Sequence, residues 1–124
     1  MGRAKVLIVE DDSDVRRLFA IGLNQRGFEV KLASDGADAV ERIRTEKPDV
    51  ILLDWLMPLM DGGQMLDHLG ASAGKVPIIV ISGEPAPGAL DPRVQAWLTK
   101  PVTIDELVTE IEHRTPASSA RQVR

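Results

Sequence analysis

Cysteine is absent from the sequence. Disulfides and thiolate metal sites are therefore excluded, and nothing argues for secretion. Basic residues are not in excess: 15 Lys and Arg stand against 19 Asp and Glu, a formal net charge of −4, so the electrostatic footprint of a nucleic-acid binder is missing. Long hydrophobic runs are missing too, since every apolar stretch falls far short of the roughly 18 residues needed to cross a bilayer. The start, Met1-Gly2-Arg3-Ala4-Lys5, leads directly into a strand and lacks the features of a signal peptide, so a cytoplasmic location is expected. What remains is ordinary for a globular chain: 124 residues, 44% apolar and 27% charged, one domain with room for a core.

The informative stretch is Val50-Ile51-Leu52-Leu53-Asp54, four branched apolar residues running into an acid. A continuous apolar run without polar alternation predicts a strand buried on both faces of a parallel sheet. Its acid then lies at the carboxyl end, the rim where open α/β sheets bind ligands. Val6-Leu7-Ile8-Val9 followed by Glu10-Asp11-Asp12 repeats that grammar. Glu29-Val30-Lys31-Leu32 alternates and predicts an edge or half-buried strand. Val76 to Ile81 predicts a fourth strand ending in Ser82-Gly83-Glu84, and Ala96-Trp97-Leu98-Thr99 a last short one ending at Lys100-Pro101.

Helical spacing fills the gaps between them. Ser13 is a good N-cap for a helix carrying Val15, Leu18, Phe19, Gly22 and Leu23, stopped at Gly27. Asp12 also reads as a cap rather than a ligand. Ser34-Asp35-Gly36 opens a helix with Ala37, Val40 and Ile43 inward, closed by Lys47-Pro48. Pro58 and Asp61-Gly62-Gly63 mark a loop before a short helix with Met65, Leu66 and Leu69. Ile104, Leu107, Val108 and Ile111 form the stripe of a final helix, with Thr103 or Asp105 near its start. Residues 85–92 contain Pro85, Pro87, Pro92 and Gly88, so no full helix is expected there. His68 and His113 have polar neighbours and are expected in solvent. The polar, basic residues 115–124 read as a tail or linker after a domain spanning 1–114.

Strand–helix alternation favours right-handed crossovers and a parallel sheet covered on both faces. All strands then share one carboxyl rim, which gathers Glu10, Asp11, Asp54, Ser82 and Lys100. Clustered carboxylates repel one another, and a hard divalent cation resolves the conflict. Oxygen ligands without His or Cys favour Mg²⁺, or Mn²⁺, over zinc. Lys100 adds a compact positive charge and Ser82 a hydroxyl donor. Such a rim suits a phosphoryl group carried on Asp54 as an acyl phosphate.

Four motifs in this order, Leu7-Ile8-Val9-Glu10-Asp11-Asp12, Leu52 to Gly62, Pro77 to Gly83 and Leu98-Thr99-Lys100-Pro101, resemble the receiver domain of two-component response regulators. The resemblance runs from Lys5 to about His113. It implies a flavodoxin-like, doubly wound five-stranded parallel sheet of order 2-1-3-4-5. It makes Asp54 the phospho-acceptor, charged by a sensor histidine kinase or a histidine phosphotransfer protein. It makes Asp11, Asp54 and the Leu56 backbone carbonyl Mg²⁺ ligands, with Glu10 acting through water. Ser82 becomes the hydroxyl that swings toward the phosphoryl group, Lys100 the invariant lysine with a cis bond to Pro101, and Trp97 the switch aromatic. The implied output is a changed surface at the last strand and its flanking helices, read by an output domain, a downstream protein or a second copy. Such a domain is not an enzyme beyond its own phosphoryl transfer and self-dephosphorylation, and it has no membrane or direct nucleic-acid role.

Three features depart from the family pattern. Lys100 lies 18 positions after Ser82, a few fewer than in most receivers, so the fourth helix is expected to be short or degenerate. Trp97 is bulkier than the usual tyrosine or phenylalanine, which predicts a damped or biased switch. Leu56, two after the acceptor, cannot orient a water, whereas Glu84 could; slow self-dephosphorylation is expected. Two other readings compete. A haloacid dehalogenase-type phosphatase would want an acid at Leu56 and a cap domain. A degenerate receiver acting only as an interaction module would not need the intact Glu10, Asp11, Asp54, Ser82 and Lys100 set.

Overall fold

The computed structural model describes residues 4–57 and 60–115. In chain order the elements are β1 (Lys5–Val9), α1 (Ser13–Gln25), β2 (Glu29–Ala33), α2 (Gly36–Glu46), β3 (Val50–Asp54), β4 (Leu56–Met57), β5 (Met60–Asp61), α3 (Gly62–Ala73), β6 (Ile78–Ser82), β7 (Val94–Thr99) and α4 (Ile104–Arg114). Five strands form one parallel sheet in the order β2-β1-β3-β6-β7. This is the expected doubly wound topology, with β3 at its centre. The short strands β4 and β5 pair antiparallel, Leu56 opposite Asp61, in a separate ribbon just beyond the rim. Among the described residues no helix is long and apolar enough to cross a membrane. The expected turn at Pro58 and the tail after Thr115 lie outside the described residues.

The continuous apolar runs explain the two cores, because successive side chains on a strand point to opposite faces. Leu7, Val9, Ile51, Leu53 and Val80 pack on one face with Ala39 and Ile43 of α2 and Met65, Leu66 and Leu69 of α3. Val6, Ile8, Leu52, Ile79 and Ile81 pack on the other with Leu23 of α1 and Leu107, Val108 and Ile111 of α4. On this second face α1 and α4 approach closely at Gly22, where any Cβ would overlap the Ile104 side chain. Arg26, which caps the end of α1, and Asp105 of α4 add an ion pair between the same two helices.

No helix forms between β6 and β7, as the prolines predict. Residues 83–93 return from the carboxyl end of β6 to the start of β7 as irregular chain. Arg93 fastens the far end of this segment, donating from Nε and Nη2 to the two Asp91 oxygens at 2.9 and 2.8 Å and pairing with Asp67 of α3 at 3.1 Å. This ion pair holds the Asp91 carboxyl down at about pH 2. Where a helix would cover the first face, two half-buried tryptophans pack instead: Trp55 and Trp97 lie with ring centroids 5.0 Å apart and planes tilted by 55°. The Trp97 indole N–H donates to the Glu84 carbonyl at 2.9 Å, tying the segment to β7.

Several local expectations need correction. The cap of α1 is Asp12, whose Oδ1 accepts from the Asp14 and Val15 amides at 2.9 and 3.2 Å; Ser13 is the first helical residue. Gly27 does follow the helix end, with φ +91°. Leu18 is not inward but 66% exposed, and Ile21 is 48% exposed. The core takes Leu23, and among the described residues no element covers that flank of the helix. Ala37 is also outward, because α2 turns Gly36, Ala39 and Ile43 to the sheet. Gly62 and Gly63 belong to α3, not to a loop, since the β4–β5 ribbon already reverses the chain. β7 is longer than expected and carries a bulge, with Ile78 opposite Val94 but Ile79 opposite Ala96. The extra residue, Gln95, uses its side-chain oxygen to accept the Ile78 amide at 2.7 Å, where a ladder bond would otherwise stand. Thr103 caps α4 in a capping box with Glu106. His68 and His113 are exposed, as expected.

Candidate phosphoryl-acceptor site

The site lies at the carboxyl rim of β1, β3, β6 and β7. Asp54 is the last residue of the central strand, and its main chain is held by β6 on one side, where the Trp55 amide donates to the Ile81 carbonyl at 3.1 Å. Glu10 follows β1, and its amide continues the ladder to the Ala33 carbonyl of β2 at 3.1 Å. Ser82 ends β6, and the Lys100 amide donates to its carbonyl at 2.7 Å, which sets the two residues' main chains side by side. Parallel register therefore brings together residues up to 90 positions apart.

Carboxylate oxygens of Glu10, Asp11 and Asp54 lie within 4.8 Å of one another. Glu10 and Asp54 are only 4% and 7% exposed, whereas Asp11 is open to solvent. Lys100 Nζ reaches Asp54 Oδ1 at 3.5 Å. Ser82 is buried, and its Oγ accepts the Glu84 amide at 3.0 Å, leaving its proton available. The Lys100–Pro101 bond is cis. Burial pushes the Glu10 carboxyl up to about 7; its hydrogen bond to Asp54 and the charge there add to the rise, while the Asp12 amide and Lys100 oppose it.

The donor set fits a hard divalent cation: among the described residues it offers three carboxylates and no nitrogen or sulfur ligand, with one acid forced toward neutrality by burial and by Asp54. The same strain has a sign in stability. A carboxyl whose folded value is raised contributes stability that is complete below its unfolded value of 4.5 and is lost as pH rises through about 7. Glu10→Gln should therefore melt above the parent at pH 8 in chelator, with the difference fading toward pH 4.5. Thermal melts across that range check this, and a variant melting below the parent at pH 8 would refute it.

Four of the five side chains expected at the rim (Glu10, Asp11, Asp54 and Lys100) are thus neighbours, and the fifth, Ser82, ends the adjacent strand β6. Trp97 is near but is held in the Trp55 stack. Arg16 was not foreseen. From α1 its Nη1 donates to the Glu10 carbonyl at 2.7 Å and the Asp11 carbonyl at 3.4 Å. The one signal for it was an arginine a helical turn past the Asp12 cap.

Comparison with known proteins places the chain among others of its fold. Residues 6–112 match the family model of the response regulator receiver domain. The chain is 38% identical over 115 residues to the transcriptional regulatory protein PrrA of Mycobacterium leprae, covering 87% of this chain and 48% of that protein. It is 32% identical over 111 residues to the response regulator MprA of Mycobacterium ulcerans, covering 86% and 48%. It spans about half the length of these relatives. The solved receiver domain of the Francisella response regulator 1452 superposes with a TM-score of 0.81 at 30% identity, covering 92% of this chain and 98% of that one. With a family model matched over residues 6–112 and relatives of this identity, the chain belongs to the response regulator receiver family.

Proposed function

We propose that the chain is a phospho-acceptor switch of a two-component or phosphorelay system, with Asp54 as acceptor. The observation that carries this is the contact of Lys100 with Asp54 opposite two further carboxylates. An Asp54 oxygen attacks the phosphorus of a phosphohistidine on a sensor kinase or histidine phosphotransfer protein. The O–P bond forms as the N–P bond breaks, and the histidine nitrogen keeps the electron pair and takes a proton from solvent. Lys100 follows the charge gathering on the phosphoryl oxygens, and the Ser82 hydroxyl donates to one of them. Glu10, Asp11, Asp54 and the Leu56 carbonyl would hold Mg²⁺ (Mn²⁺ suits the same ligands), which when bound offsets phosphoryl charge.

Trp97 limits the switch. It is stacked on Trp55 and hydrogen-bonded to Glu84, so an inward swing after phosphorylation would have to break both contacts. Exposed Leu18 and Ile21 on α1, the helix that follows the acidic pair, suit an apolar surface of the phosphodonor. Leu18→Ser should slow transfer from the kinase several-fold and leave labelling by acetyl phosphate unchanged; equal loss with both donors would count against that surface. Leu56→Asn should shorten the phosphoryl half-life several-fold by orienting a water, and an unchanged half-life would remove the role given to this position.

Incubation with acetyl phosphate and Mg²⁺, followed by intact-mass measurement, tests the reading. A persistent label on Asp54 is expected. Continuous release of phosphate would favour the haloacid dehalogenase-type phosphatase, and neither label nor turnover would favour an interaction module.

A further inference from the structure

The three-residue turn from Glu10 to Asp12 carries two of the three clustered carboxylates, yet it lies between β1 and α1 and belongs to neither. Its main chain is held from three directions. The Glu10 amide donates to Ala33, the Asp12 amide donates to Glu10 Oε2 at 3.2 Å, and the Glu10 and Asp11 carbonyls receive the Arg16 guanidinium. Arg16 is half-buried and one turn into α1, where its own amide donates to the Asp12 carbonyl at 2.9 Å. The helix is thus a rigid base from which one guanidinium nitrogen, Nη1, reaches two successive carbonyls.

By charge alone Arg16 is misplaced for a cation site, because a guanidinium beside an acidic cluster weakens a divalent ion. Its contacts are with carbonyl oxygens and not with the carboxylates. It occupies hard oxygen donors that a cation could otherwise draw in, and it fixes the direction in which Glu10 and Asp11 leave the main chain. We propose that Arg16 is a positioning residue for the cation site: by fastening the Glu10 and Asp11 carbonyls it holds their carboxylates against Asp54. This rests on the reading of the rim as a Mg²⁺ site. Partners that orient metal ligands in this indirect way are typically worth about 10–100-fold in metal affinity.

Charge and positioning predict opposite signs. Mg²⁺ is titrated into the parent, Arg16→Met and Arg16→Lys, followed by emission from Trp55, which adjoins Asp54, and Mn²⁺ is titrated in parallel by electron paramagnetic resonance. Melting in chelator is recorded for each. Arg16→Met should bind Mg²⁺ about tenfold more weakly. Arg16→Lys keeps the charge but replaces the planar, pre-organised guanidinium with a shorter, freely rotating ammonium, and it should fall between Arg16→Met and the parent. Tighter binding by Arg16→Met would overturn the proposal in favour of simple repulsion. Lower melting with unchanged metal affinity would overturn it in favour of a purely structural role. If Arg16→Met does not fold, Arg16→Lys decides, and affinity equal to the parent overturns the proposal. Failure of the parent itself to bind Mg²⁺ or Mn²⁺ would instead sink the underlying reading of the rim.

Discussion

Asp54→Asn is expected to leave a folded protein that acetyl phosphate and Mg²⁺ no longer label. The amide lacks the anionic oxygen that forms the O–P bond, and it removes a carboxylate from the set of three within 4.8 Å. No neighbour can substitute. Glu10 is buried, following β1 rather than ending the central strand. Asp11 is exposed and has no lysine paired with it among the described residues. Lys100→Ala should keep the nucleophile but slow labelling by about 10²–10³-fold, the usual cost of one preorganised charge-stabilising donor. Intact-mass time courses distinguish the two. Full labelling of Asp54→Asn would remove the acceptor from the account, and an unaltered rate in Lys100→Ala would remove the lysine.

The largest effect on stability is expected one residue earlier. Leu53 is fully buried in the central strand, flanked by Val9 of β1 and Val80 of β6, in the core formed with α2 and α3. Leu53→Ala deletes buried methyl groups where neighbouring strands on both sides resist collapse. The expected cost is about 2–5 kcal/mol, against the roughly 5–15 kcal/mol typical of a whole domain. Urea unfolding should show the midpoint falling with the slope unchanged. A loss below about 1 kcal/mol would mean that the core repacks around the gap, and the packing described at β3 would be wrong.

Much of this was legible in the chain itself. Uninterrupted apolar runs ending in acids announce buried parallel strands, and parallel register alone then carries Glu10, Asp54, Ser82 and Lys100 to one rim. The prolines at 85, 87 and 92 announce the missing helix. Other features depend on what lies opposite, which periodicity does not encode. Helical spacing marks Leu18 as apolar-facing, but among the described residues nothing covers it, and it is exposed. The Gln95 bulge arises from a side chain replacing a ladder bond, an event with no sequence pattern. The Trp55–Trp97 stack joins residues 42 positions apart and follows from the uncovered face between α3 and β7. Arg16 reads as a solvated helix residue until the carbonyls it binds are in view.

The central claim is that one metal-assisted phosphoryl site is assembled from the ends of four strands. Its most direct measurement is a crystal structure of the protein grown with Mn²⁺ and the phosphoryl mimic beryllium fluoride, with the manganese located by anomalous scattering. The account predicts a single peak in contact with Asp11 and Asp54 and beside Glu10, and the mimic on an Asp54 oxygen within reach of Lys100 and Ser82. Manganese bound elsewhere, or a mimic seated on another residue, would contradict it.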